Sequence, residues 1–104
     1  MTREVALKAL EEFRQQIDEV DLRILALLNE RTRIVEEIGQ VKQLARMPIY
    51  EPKREDQVFQ NVTENNTGPL APEAVRRIFE RIIDEMRVVQ RMRMELGVDG
   101  DPSC

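Results

Sequence analysis

The sequence predicts an all-α fold of three helices per chain, one of them very long. Apolar residues recur at alternating spacings of three and four over the first 45 positions, the period of a helix seam rather than of a strand. Proline- and glycine-containing clusters cut the remainder into two further helical segments. Charged residues make up 35% of the 104 residues and aromatics 4%, with no Trp, which favours helices packed along aliphatic seams over a sheet with an aromatic core.

The first helix is expected from about Thr2 to Arg46. Its seam runs through Leu10, Phe13, Ile17, Val20, Ile24, Leu27, Ile34, Ile38 and Val41. Gly39 is its one weak helix former, and Pro48 ends it by disfavouring a helical residue before it. Pro52 stands where a helix-starting proline belongs, and Val58, Phe59 and Val62 mark a short second helix over 52–64. Asn65-Asn66-Thr67-Gly68-Pro69 breaks the chain again. Pro72 opens a third helix carrying Val75, Ile78, Phe79, Ile82, Ile83, Met86 and Val89, which is expected to reach Leu96 and stop at Gly97. Residues 1–97 therefore read as one domain and 98–104 as a disordered tail.

Helix length implies a partner. About 45 helical residues span roughly 65 Å at 1.5 Å per residue, whereas a compact monomer of this size has a radius of gyration near 13 Å. Two shorter helices cannot cover so long a seam, so a second copy of the chain is expected to cover the rest in an intertwined helical homodimer.

The net charge of −4 argues against a nucleic-acid partner. Thirteen of the sixteen basic residues are Arg, however, and guanidinium forks suit planar carboxylates, so a small anionic ligand fits the composition. The absence of His excludes His-based acid–base catalysis and most zinc sites. The single Cys, Cys104, allows no intramolecular disulfide and fits a reducing compartment. No apolar run approaches a membrane span, and no signal-peptide core is seen, which makes the cytoplasm the expected location.

Several polar residues interrupt apolar stripes. Arg31 is the one charged position on the seam, where a guanidinium must be paired or bound to an anion; a buried salt bridge or register-setting residue is the plainer account. Lys42 follows eleven residues later, close to three whole turns, so the two share a face with Gly39 on the same stretch; a snorkelling end-of-helix lysine would look the same. Arg14 lies about 25 Å from Arg31 along the axis, so the two could meet one small ligand only if Arg14 came from the partner chain. Otherwise Arg14 is an ordinary exposed residue. Glu51, Arg54 and Glu55 cluster at the start of the second helix, where an arginine opposes the helix dipole; a solvated charge run is the alternative. On the third helix Phe79, Ile83, Met86 and Gln90 form one line, with Gln90 its polar member, although buried amides are usually satisfied locally.

The run Phe13-Arg14-Gln15-Gln16-Ile17-Asp18-Glu19-Val20-Asp21, then Leu27-Leu28-Asn29-Glu30-Arg31, then Ile38-Gly39-Gln40-Val41-Lys42 resembles the all-helical (AroQ-type) chorismate mutases. Pro48, Arg54-Glu55 and the stretch from Ile82 to Gln90 continue the match in order, so the resemblance covers about residues 7–93. It implies the rearrangement of chorismate to prephenate, without cofactor or covalent intermediate, by holding a compact conformer and stabilising charge on the breaking ether oxygen. It also implies roles. Arg31, Arg54 and the Arg14 of a partner chain would bind carboxylates. Lys42 would bind the ether oxygen and a carboxylate, Gln90 would donate to the same ether oxygen, and Glu55, helped by Glu51, would accept from the substrate hydroxyl. Two positions depart from the pattern: Glu51 stands where a shorter Asp is common, and Met86 where some members place a small hydroxyl residue near a carboxylate.

Two other readings compete. An isochorismate pyruvate-lyase on the same scaffold would also need arginines and a lysine at an ether oxygen. A non-catalytic helical dimerisation or regulatory module would instead give Arg31, Lys42 and Gln90 protein partners and enclose no cavity.

Overall fold

The computed structural model describes residues 1–99, which form three helices: α1 (Arg3–Ala45), α2 (Pro52–Glu64) and α3 (Pro72–Asp99). The first two match the sequence expectation to within a residue at each end. The third does not stop at Gly97 but continues to Asp99. One glycine costs a helix about 1 kcal/mol relative to Ala, which does not by itself end it. Of the expected tail 98–104, Val98 and Asp99 are therefore helical, and 100–104, with Cys104, lie outside the described residues.

Local chemistry sets each boundary. The Thr2 hydroxyl accepts from the Val5 amide at 3.2 Å and caps α1. At the far end Arg46 takes a left-handed conformation (φ 57°). Its amide donates to Gln43 O at 3.2 Å and the Met47 amide to Lys42 O at 2.8 Å, the paired reverse bonds of a Schellman ending. Pro52 occupies the first turn of α2 behind an extended Glu51 (φ −129°, ψ 90°), which makes no side-chain cap bond. The Asn65 side chain closes α2 by donating to Asn61 O at 2.8 Å. Asn66 then accepts from the Gly68 amide and donates to Leu70 O, shaping the turn into α3.

The chain divides into two units, residues 1–33, which hold most of α1, and residue 34 onward. In the second unit α2 packs on α3, and the buried apolar side chains are Val35, Phe59, Val75, Ile83 and Met86. Arg76 lies over the Phe59 ring, 4.3 Å from its centroid. No side chain among the described residues is completely sealed from solvent.

The seam read from the sequence is solvent-exposed in the single chain. In the first unit this holds for Leu10, Phe13, Ile17, Val20, Ile24 and Leu27, and in the second for Ile34, Ile38 and Val41. What α1 buries is the neighbouring line, Val35, Gly39 and Lys42. Fully burying a side chain of this kind stabilises by roughly 1.5–3 kcal/mol, so the uncovered stripe is a large unused apolar surface. No helix of the described residues is long and apolar enough to cross a membrane.

Candidate active site

The site is built where the last turns of α1 run beside α3. Gly39 permits the approach: a Cβ there would meet Gln90 Cγ at 3.4 Å, Cβ at 3.7 Å and Cα at 3.8 Å. Within the second unit the pairing of the two helices continues on both sides. Arg93 Nη1 lies 3.6 Å from Glu36 Oε2, and Gln43 Nε2 donates to Met94 O at 3.4 Å.

One turn beyond Gly39, on the same face, stands Lys42, only 7% exposed. That burial removes the snorkelling alternative. The ammonium lies 2.8 Å from Glu51 Oε1 and donates to Ile49 O at 2.9 Å. Glu51 thus offsets the cost of burying the charge, which explains why its carboxylate does not cap α2. Lys42 also fastens the loop between α1 and α2 twice, through its backbone carbonyl to Met47 and through its side chain to Ile49. An ammonium has three donors, and these two contacts leave one more.

Gln90 is 8% exposed, and its Oε1 is buried with no hydrogen-bond partner among the described residues. Leaving a buried polar atom unpaired costs about 1–3 kcal/mol. The two ends of an amide exchange by a half-turn, so the geometry fixes a buried amide with one unmet polar end. Ile83 and Met86 are buried on the same line of α3, with Phe79 half-buried. The Met86 side chain therefore belongs to the apolar wall beside Gln90.

Glu55, in the first turn of α2, is held by a residue that sequence reasoning missed. Arg87 on α3 donates through Nε to Glu55 Oε2 at 2.8 Å and through Nη2 to Glu55 Oε1 at 2.7 Å. The hydrogen bond to Glu55 raises the Arg87 pKa above its already high ordinary value, so the guanidinium stays charged at any working pH. Arg87 also stands between two shallow depressions. One, of about 430 Å³, is lined by Ile49, Tyr50, Arg87 and Arg91. The other, of about 260 Å³, is lined by Glu55, Phe59, Glu80, Ile83, Asp84 and Arg87.

Arg54 is exposed and donates to Gln57 on its own helix at 3.5 Å. In the first unit Arg14 is exposed and Arg31 half-buried.

Chemically, the second unit offers a buried ammonium, a buried amide and a braced carboxylate. These suit orientation and charge stabilisation of a polar anionic ligand rather than nucleophilic attack.

The family described as chorismate mutase type II matches residues 13–91. A chorismate mutase of Methanocaldococcus jannaschii is 27% identical, with 86% of this chain and 91% of that protein covered. The bifunctional chorismate mutase/prephenate dehydratase of Aquifex aeolicus is 37% identical over 74% of this chain, which spans only 22% of that relative's length. Among solved structures, a chorismate mutase from Thermus thermophilus superposes with a TM-score of 0.78 at 34% identity, covering 80% of this chain and 94% of that one. A chorismate mutase from Helicobacter pylori in complex with prephenate superposes with a TM-score of 0.79 at 27% identity, covering 85% and 96%. The chain thus belongs to the type II chorismate mutase family.

Proposed function

We propose that the chain converts chorismate to prephenate, and that the buried Lys42–Gln90 pair is the feature on which this chemistry turns. In the rearrangement one C–O ether bond breaks while one C–C bond forms, with no external nucleophile, redox partner or net proton transfer. The work left to the protein is conformational restraint and stabilisation of negative charge on the ether oxygen. The free donor of Lys42 and the Gln90 amide supply that stabilisation in a setting where water is largely excluded. Glu55, helped by Glu51, accepts from the substrate hydroxyl, and Glu51 also holds the Lys42 ammonium in place. Arg31 and Arg54 bind the carboxylates, and Met86 contributes an apolar wall where a hydroxyl donor would otherwise help.

The working form is an intertwined homodimer in which Arg14 of the partner chain completes each site. The uncovered seam of α1, together with the absence of any fully sealed side chain in the described residues, supports that assembly. The location is the cytoplasm, where chorismate would be consumed on the way to aromatic amino acids. Incubating the purified chain with chorismate and following prephenate formation tests the activity. A parallel incubation with isochorismate, scored for pyruvate release, separates it from a lyase.

A further inference from the structure

Arg87 and Glu55 are 32 residues apart and are joined by two parallel hydrogen bonds, so both carboxylate oxygens and the plane of the group are fixed. The guanidinium is itself held on other sides: Nη1 lies 3.4 Å from Asp84 Oδ1, and the group sits over the Tyr50 ring, 5.2 Å from its centroid. Two carboxylates therefore already balance its charge, which makes Arg87 a poor further binder of a substrate carboxylate. Nor is the pair needed to join α2 to α3, since buried Phe59, Val75, Ile83 and Met86 hold that unit together. Both partners are partly exposed, and such ion pairs add little stability. What the fork does supply is geometry. A carboxylate has roughly four acceptor positions and the fork occupies two of them, so Glu55 can still accept a hydroxyl.

We propose that Arg87 is a positioning residue, which fixes the rotamer and plane of the Glu55 carboxylate so that its remaining acceptor positions meet the substrate hydroxyl. This rests on the reading of Glu55 as the hydroxyl acceptor of a chorismate mutase. The hydroxyl bond is present in both the bound substrate and the transition state, so its loss should appear mainly in KM.

The test is a double-mutant cycle on the full chain with chorismate as substrate. Arg87→Met should lower kcat/KM by on the order of tenfold, mostly through KM, with helicity retained, since small misplacements of a binding group cost up to a hundredfold. Arg87→Lys keeps the charge without the fork and should recover only part of the loss; it also carries the test if Arg87→Met does not fold. In a Glu55→Ala background, Arg87→Met should change kcat/KM less than about twofold, because the two residues act as one unit. An Arg87→Met or Arg87→Lys enzyme with native KM, or equal losses in the two backgrounds, would overturn the assignment while leaving the mutase activity intact. A wild-type chain inert toward chorismate would overturn the parent reading and the assignment together.

Discussion

Gly39 lies against Gln90 closely enough that one added methyl would touch the glutamine stem at 3.4 Å, the near edge of ordinary van der Waals contact. Gly39→Ala is therefore expected to fit. The gain in helix propensity, up to about 1 kcal/mol, should appear as a rise in Tm of a few degrees, with at most a modest loss of turnover. Gly39→Leu should overpack the same contact at a cost of about 1–3 kcal/mol and displace Gln90, lowering Tm and turnover together. Thermal melts and prephenate assays on both variants check this. A destabilised Gly39→Ala would show that the helices cannot accommodate even ordinary contact.

Arg46 adopts the left-handed conformation that ends α1. For a residue with a Cβ that conformation costs about 1–2 kcal/mol, whereas glycine adopts it freely at an entropic cost of about 0.5–1 kcal/mol. Arg46→Gly should stabilise the chain by up to about 1 kcal/mol, and Arg46→Val should destabilise it. Urea denaturation midpoints at constant slope give the measurement.

The second helix was legible at both ends, because Pro52 and the asparagine cluster act locally. The exposed seam of α1 was legible as a stripe, but its period alone does not say whether the chain's own helices or another copy cover it. The chain's own packing falls one position over, on Val35, Gly39 and Lys42. Lys42 and Gln90 stood out because each is polar on an otherwise apolar line. The burial of Lys42 depends on Glu51 and the Ile49 carbonyl, contacts across a loop that no spacing rule anticipates. Arg87 left no signal, since its partner is on another helix and its own flank of α3 looks solvated.

Lys42 is buried, so its removal touches stability as well as catalysis. Lys42→Met keeps the apolar stem while abandoning Glu51 and Ile49 O, and should lower Tm modestly. Its larger effect should be on kcat, by a hundredfold or more, since loss of one preorganised donor costs about 3–4 kcal/mol. Lys42→Arg preserves charge but replaces a compact ammonium with a wide planar fork, and should rescue little. Near-native kcat in Lys42→Arg would show that charge alone suffices.

The chain has no His, and no unperturbed side chain titrates between about pH 6 and 8, so turnover should be nearly flat across that range. The hydrogen bond to Glu55 raises the Arg87 pKa, so the guanidinium stays charged throughout that range. Gln90→Glu changes the profile. A carboxyl in that buried position donates to the ether oxygen only when protonated, and burial favours the protonated form. Activity should therefore increase as pH falls. A Gln90→Glu enzyme equally active from pH 6 to 8 would show that Gln90 does not face the reacting oxygen.

Arg14 and Lys42 are 28 residues apart in the sequence, and the helical seam expected from that sequence would put about 42 Å between them at 1.5 Å per residue. One small substrate cannot reach both on one chain, so a site that uses both must draw Arg14 from the second copy. That copy would also cover the exposed Leu10-to-Leu27 stripe, where Arg14 lies one position from Phe13. Arg14→Ala and Lys42→Met homodimers should each be nearly inactive. After mixing and verified subunit exchange, about half of the dimers are hybrids, and each hybrid carries one site with both defects and one with neither. Recovered activity should approach roughly a quarter of wild type for random pairing in a two-fold dimer. Exchange without recovery would place Arg14 outside the site, and the α1 seam would then serve assembly alone.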